Sequence, residues 1–295
     1  MKDSFSKMHP FVNFVYYTTV ILLSMFIMNP VCLFLSLSCA VANAVYLNGK
    51  KSVLFGLKFV LPTVLTVSLI NPVVNHRGTT ILFYLPWNNP FTLESVIFGV
   101  ASSVMVGSVV FWFSSVNTVM TSDKFVYLFG RIIPSLSLVL TMSLRFVPKF
   151  TAEWQEVKNA QRLMGKKRQS GFLPRLKEFV RTLSVMLSRT LEGSIETADS
   201  MKARGYGLKG RTAFSVFRFT RGDLIFLVII VLLTGGIITS RFLKTASYSY
   251  FPTLKVLAFS LSDCVFYVVY AALLLMPLIL NIGEGYRWRK SQQSI

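Results

Sequence analysis

The chain has 295 residues, of which 53% are hydrophobic and only 15% are charged. That content is above the roughly 45–50% apolar fraction of soluble domains, which excludes an ordinary soluble globular protein. The net charge of +19 could suggest a nucleic-acid partner, but the basic residues are concentrated in one segment between apolar runs, so we expect no nucleic-acid binding.

Six apolar runs are near the length of about 20 residues that spans a bilayer as a helix. They cover residues 11–28, 31–47, 52–70, 93–117, 224–240 and 254–282. The first run follows Lys2 and Lys7, as the apolar part of a signal peptide would, but no small-residue cleavage site follows it. We therefore expect a retained helix and an all-α integral membrane protein with about six transmembrane helices.

The distribution of charge predicts the orientation in the membrane. Of the 31 Lys and Arg residues, 19 lie between Asn117 and Asp223, together with 8 acidic residues. By the positive-inside rule this segment is cytoplasmic, and so are both chain termini. We expect a multi-pass protein of the cell membrane with three parts: four spans in residues 1–117, a cytoplasmic helical region in 118–223, and two spans with a basic tail in 224–295.

The first four spans carry a small-residue seam and an outward loop. Gly99, Ser103 and Gly107 recur every four residues, which favours close helix packing. The outward loop, residues 71–90, includes aromatic residues suited to the membrane interface. Its His76 and Arg77 could form a ligand site, although a hydrogen-bonded loop is the simpler interpretation.

Titratable residues within the spans are few. Asp263 is expected to lie deeper in the membrane than the other charges, where it would either line a pathway or pair within the bundle. Cys32, Cys39 and Cys264 fall within spans and are interpreted as inert thiols. We expect no catalytic residues, no metal site and no cofactor.

Amphipathic helices are predicted in the cytoplasmic region. From Pro174 onward, apolar residues recur at three- and four-residue spacing for about thirty residues. An earlier helix is expected from about Asp123 to Arg145, with a break or kink at Pro148, followed by a helix from residue 149 to 164.

Both of the later helices should stop at a glycine. Gly165 and Gly205 stand where a helix needs a residue that tolerates left-handed geometry. Arg204, in the last turn, is favoured by the helix dipole by about 0.3–1 kcal/mol. Its guanidinium is therefore expected to project beyond the helix end, where it can enter a groove on another protein.

Ala203-Arg204-Gly205, with residues 160–165 (AQRLMG) some forty residues upstream, resembles the paired Ala-Arg-Gly motifs of the T component of energy-coupling factor (ECF) transporters. Residues 143–148 (SLRFVP) and the outward sequence 75–78 (NHRG) are also similar to that family. The similarity spans most of the chain and is strongest from about residue 140 to 211.

The resemblance implies a membrane scaffold that joins two cytoplasmic ATP-binding subunits to a small substrate-binding membrane protein, the S component, for uptake of vitamins or other micronutrients. The helices of residues 118–223 would be coupling helices. The implied ATPase-docking residues are Ala203, Arg204, Gly205, Ala160, Arg162, Met164 and Gly165. The implied apolar groove for the S component is formed by Leu183, Leu187, Leu191, Phe129 and Leu136.

The first docking motif departs from the family pattern. Met164 stands where the family usually has arginine. Arg162 lies two residues earlier, about 200° around a helix, so its side chain cannot simply replace one at position 164. The nearby run Lys166-Lys167-Arg168 could supply the charge, or the first contact could be apolar.

Two alternatives remain open from the sequence. The membrane subunit of a conventional ABC importer carries a cytoplasmic E-A-A signature, which Glu196-Thr197-Ala198 faintly resembles, but its I-x-L-P ending is absent. An intramembrane enzyme would need convergent nucleophiles, bases or metal ligands. The sequence has no glycine-rich phosphate loop ending in Gly-Lys-Ser/Thr, so any ATP hydrolysis is expected from partner subunits.

Overall fold

The computed structural model describes residues 5–84, 90–130, 134–163, 171–206, 208, 217–243, 245–246, 248–252 and 260–293, without the side chains of 134–137, 162, 285 and 287–293. In these ranges it contains ten α-helices, one π-helical turn and one small hairpin. They are α1 Pro10–Phe26, α2 Pro30–Asn48, α3 Lys50–Phe55, the π-helical turn Gly56–Val60, α4 Leu61–Val74, β1 Ile81–Tyr84, β2 Pro90–Thr92, α5 Leu93–Val119, α6 Ser122–Gly130, α7 Pro134–Leu163, α8 Phe172–Ala203, α9 Arg221–Phe242 and α10 Leu261–Gln293.

The chain divides into two compact units. The first, called here the membrane unit, comprises Met1–Phe125 and Phe217–Ile295, and the second, the helical unit, comprises Val126–Val216. Five helical segments of the membrane unit are long and apolar enough to cross a bilayer, and α1 is a shorter apolar helix. The structure is thus the expected all-α membrane protein, while the three-part division by residue number stays a prediction.

Local capping explains where the membrane helices begin. The Asn29 side chain accepts a hydrogen bond from the Val31 N–H at 3.0 Å, and Pro30 occupies the first helical position of α2. His9 caps α1 in the same way, with Nδ1 accepting from the Phe11 N–H. The backbone N–H that proline lacks would have no hydrogen-bond partner in the first turn of a helix. Proline is therefore tolerated at the start of both helices.

Aromatic and hydroxyl side chains join four helices in the core of the membrane unit. The Tyr16 hydroxyl lies 3.2 Å from the carbonyl oxygens of both Leu273 and Leu274 on α10. The Trp112 indole on α5 donates to Ser36 Oγ on α2 at 3.3 Å. These hydrogen bonds satisfy buried polar groups inside an apolar bundle, where an unsatisfied group is costly.

The small-residue seam of α5 packs against α4, as the sequence predicted. A Cβ on Gly99 would lie 3.0 Å from the Ser68 carbonyl oxygen, and one on Gly107 would lie 2.9 Å from Val64 Cγ2. The two glycines therefore permit a helix approach that larger side chains would prevent. The opposite side of α4 is largely exposed, consistent with a lipid-facing helix.

The segment before α1 is an integral part of the core. Phe5 is 1% exposed, its N–H donates to Asn281 Oδ1 at 3.1 Å, and its ring contacts the rings of Tyr16 and Phe226. The buried Lys124 ammonium donates to the hydroxyl and carbonyl of Ser6. The N-terminal segment thus ties together the side of the unit at which α1 begins.

Asp223 holds the start of α9 to the start of α1. Its carboxylate accepts from the His9 N–H at 3.0 Å, and from the Thr220 N–H at 2.9 Å in a capping box. Burial lowers the pKa of His9 more strongly than the Asp223 carboxylate raises it. A neutral imidazole keeps Nδ1 available as the acceptor that caps α1.

We expect Asp223→Ala to lower the free energy of unfolding by about 1–3 kcal/mol, because two backbone N–H groups lose their acceptor in a largely buried site. Thermal melting of the purified protein in detergent measures this change. Glu284→Ala removes an exposed carboxylate from the same unit and is the control. Equal melting temperatures for the two variants would contradict the anchoring role of Asp223.

The loop before α5 folds back onto the start of that helix. Glu94, 2% exposed, accepts from Thr79 Oγ1 at 3.2 Å and from Thr80 Oγ1 at 2.8 Å. The Arg77 carbonyl oxygen accepts from the hydroxyls of Thr92 and Ser95. The loop is thus hydrogen-bonded through the Arg77 carbonyl and Glu94, while a ligand site on the side chains of His76 and Arg77 stays a prediction. The strands β1 and β2 form a short hairpin that the sequence did not predict.

The expected depth of Asp263 was wrong. Asp263 lies in the first turn of α10, which begins at Leu261, while the expected start of this span near residue 254 lies outside the described residues. Its carboxylate accepts from the Ala246 N–H at 2.8 Å and from the Ser260 N–H at 3.2 Å. Ala246 has φ +53, and its carbonyl accepts from Asn29. Asp263 therefore holds a turn and a helix start.

The helical unit differs from one of the two expectations at Pro148. The expected break is absent there, because α7 continues from Pro134 to Leu163 through this residue, while a kink stays a prediction. A proline inside a helix removes one backbone hydrogen bond, and the remaining bonds of a 30-residue helix can tolerate that loss. The hydroxyl of Thr151, about one turn after Pro148, donates to the Pro148 carbonyl oxygen.

Candidate docking site at the end of α8

The later part of α7 packs against the early part of α8. The Trp154 and Phe179 rings lie 5.3 Å apart, and Thr182 Oγ1 donates to Gln161 Oε1 at 3.2 Å. Thr182 is the buried residue of α8. Both α8 residues in these contacts lie in the first third of that helix. The rest of α8, from Leu183 onward, extends beyond these two contacts with α7.

Helix α8 ends in a Schellman motif. The Gly205 N–H donates to the Lys202 carbonyl at 2.9 Å, and the Tyr206 N–H donates to the Met201 carbonyl at 3.0 Å. Gly205 has φ +77, the left-handed conformation that this motif requires and that glycine adopts without strain. The predicted end of the helix at Gly205 is confirmed, and α8 has the expected length of about thirty residues.

Arg204 is the capping residue and is exposed, with φ −80 and ψ 9. Its side chain forms no ion pair with any acidic residue in the described ranges. The last carbonyl groups of the helix and the dipole favour a cation at this position. Ala203 and Gly205 flank it without large side chains, so a partner surface can approach the guanidinium closely.

The first predicted motif is described only in part. Ala160 lies exposed on the last turn of α7, which ends at Leu163 in the described residues. The side chain of Arg162, and the whole of Met164 and Gly165, lie outside what the structure describes. Whether Met164 supports a docking contact stays a prediction.

The apolar residues assigned to the groove follow one face of α8. Leu183, Leu187 and Leu191 are spaced four residues apart, and they are 38%, 55% and 65% exposed. Phe129 lies on α6 and is 50% exposed, and the side chain of Leu136 is outside the described set. An exposed leucine row on a helix is typical of a surface that a partner covers.

The contact that sequence analysis missed is the one that joins α7 to α8. In the sequence, Thr182 and Gln161 are ordinary polar residues of amphipathic helices, and Trp154 is one of many apolar residues. The contact depends on which faces of α7 and α8 pack together, and the sequence does not indicate those faces.

We expect Gly205→Ala to destabilise the end of α8 by about 1–2 kcal/mol, because a β-carbon is unfavourable in the left-handed conformation. Faster hydrogen exchange of the Tyr206 amide, which donates to Met201, is the measurement. Gly205→Asn should exchange more slowly than Gly205→Ala, since asparagine tolerates this conformation better. Identical exchange in the two variants would argue against the strain.

Taken together, the fold and site define a multi-pass helical membrane protein with a helical unit in which the long helix α8 ends at an exposed arginine. Comparison with known proteins adds the family. The model of the cobalt transport protein family, CbiQ, matches residues 2–215. The chain belongs to this family and is a T component of the energy-coupling factor transporters.

Individual relatives agree with this assignment. The chain is 28% identical over 213 residues to energy-coupling factor transporter transmembrane protein EcfT 1 of Listeria monocytogenes, covering 67% of this chain and 75% of that protein. It is 33% identical over 111 residues to EcfT of Lactobacillus helveticus, covering 37% and 40%. This membership favours a T component over a conventional importer subunit or an intramembrane enzyme.

Proposed function

We propose that this T component transmits the motion of two cytoplasmic ATP-binding subunits to a small membrane S component that binds a micronutrient. The observation that carries the proposal is the exposed Arg204 on the Schellman-capped end of α8. The family membership indicates that the partners are ATP-binding subunits and an S component. The Arg204 guanidinium would bind one of the ATP-binding subunits.

The docking contact would depend on charge and shape together. A guanidinium offers several N–H donors in a fixed plane, which suits a carboxylate or backbone carbonyls in a groove. The backbone hydrogen bonds of the Schellman motif hold the last turn of α8 to its cap. A displacement of the cap is therefore expected to move the whole of α8.

We propose that the S component contacts the exposed leucine face of α8, so that a displacement of this helix moves the S component. Leu183, Leu187 and Leu191 lie on the same helix as Arg204. In this mechanism ATP-driven closure of the ATP-binding subunits shifts α8, and the S component reorients against its apolar face and releases substrate inward. ATP hydrolysis belongs to the partner subunits, and the S component selects the substrate.

The proposed topology places both termini and the helical unit in the cytoplasm. The support is the concentration of basic residues between Asn117 and Asp223. Arg204 would then be on the side of the membrane where ATP-binding subunits reside.

Affinity purification of the tagged chain from its native host membranes tests the proposal. We expect two ATP-binding polypeptides and one small apolar membrane protein to co-purify, and the reconstituted complex to take up a micronutrient only with ATP. A chain recovered intact without any ATP-binding protein would overturn the proposed function.

A further inference from the structure

A lateral groove lies between α1 and α9 of the membrane unit. It has a volume of about 540 Å³, within the range of about 300–1,000 Å³ usual for small-molecule sites. Its walls are mainly apolar and come from Leu22, Leu23, Phe26, Ile27, Ile237 and Ile238. Phe26 and Leu22 are also exposed at the surface of the unit, so the groove opens toward the lipid.

One charged residue, Arg241, lies among the described residues that line this groove. No acidic side chain in the described parts of the chain is within ion-pair distance of it. Phe242 beside it is 84% exposed. The groove therefore combines a long apolar wall with one cation that has no counter-charge among the described side chains.

The position of Arg241 along α9 matches the level of the lipid headgroups. Arg221 and Arg241 stand at the two ends of this candidate span, about 30 Å apart at 1.5 Å per residue, which equals the thickness of the hydrocarbon core. Thr234, also in the groove, lies about 10 Å deeper on the same helix. The groove thus runs from a membrane surface into the hydrocarbon region.

We propose that this groove binds an anionic phospholipid, with the phosphate on Arg241 and one acyl chain along the apolar wall. The charge complementarity selects an anionic headgroup, because an unpaired guanidinium gains more from a net negative headgroup than from a zwitterionic one. The apolar wall suits an acyl chain, and its orientation along the membrane normal matches that of a lipid in the bilayer.

Native mass spectrometry of the detergent-purified chain, offered equal amounts of phosphatidylglycerol and phosphatidylcholine, tests this proposal. We expect phosphatidylglycerol to be retained preferentially. Arg241→Gln should reduce its retention about tenfold, the effect of losing one charge-assisted hydrogen bond. Thr234→Phe, which fills the groove and leaves the charge, should reduce retention of both lipids.

Arg221→Gln is the matched control, because it removes an exposed arginine from the opposite end of the same helix. It should leave retention unchanged. Equal retention of the two lipids by the wild type, or unchanged retention by Arg241→Gln, would overturn the proposal. Displacement of phosphatidylglycerol by a bound small membrane protein would assign the groove to a protein helix and would also overturn it.

Discussion

Replacing Arg204 with glutamate is expected to remove ATP-binding subunits from the purified complex. A guanidinium buried in a partner groove typically costs about 2–5 kcal/mol to truncate, which is roughly 30-fold or more in affinity. Charge reversal adds repulsion from any carboxylate that faced it. The measurement is the ratio of ATP-binding polypeptide to tagged chain after affinity purification.

Arg189→Glu is the matched control for this experiment. Arg189 is exposed on the same helix, about four turns before the cap, so its replacement changes the net charge identically. We expect it to retain the ATP-binding subunits. If Arg204→Glu is folded by thermal melting and retains them to the same extent, Arg204 is not a docking residue.

Replacing Gly99 with leucine is expected to destabilise the membrane unit strongly. The new Cβ would lie 3.0 Å from the Ser68 carbonyl oxygen and 3.2 Å from Asn71 Cβ. Overpacking typically costs about 1–3 kcal/mol, and here the backbone of α4 must itself move. We expect a lower melting temperature and a lower yield of folded protein.

Gly236→Leu is the control that distinguishes the effect of the clash at Gly99 from the effect of replacing any helical glycine. Gly236 lies in the interior of α9, and a Cβ there would meet no described atom within 4 Å outside its chain neighbours and the adjacent backbone of its own helix. The substitution makes the same chemical change in another membrane helix without a neighbour to displace. If the two variants melt at the same temperature, the close approach of α4 and α5 does not control stability.

The positions of the helices and the capped end of α8 were largely predictable from the sequence. Apolar runs identify spans because the bilayer must be crossed by helices with internally satisfied backbones. Gly205 identifies a helix end because few other residues adopt its backbone conformation. Gly99 and Gly107 identify a packing face, which the structure shows against α4. Each of these signals depends on residues close together in the chain.

Long-range partners were not predictable. Phe5 donates to Asn281 across 276 residues of sequence, and Asp223 accepts from His9 across 214. Asp263 was expected deep in the membrane, whereas it binds the backbone of Ala246 and Ser260. An aspartate in an apolar stretch of sequence can line a pathway or cap a turn. Only its neighbours in the folded structure distinguish these two roles.

The sequence by itself therefore determined the class of the protein, the spans and the arginine at the end of α8, because hydrophobic length, charge distribution and helix capping are local properties. The tertiary structure decided how the N-terminal segment enters the core, what Asp263 binds and where a groove opens beside Arg241. Those features arise from side chains of different helices that meet only after folding, when burial makes each unpaired polar group costly and selects the partners that satisfy it.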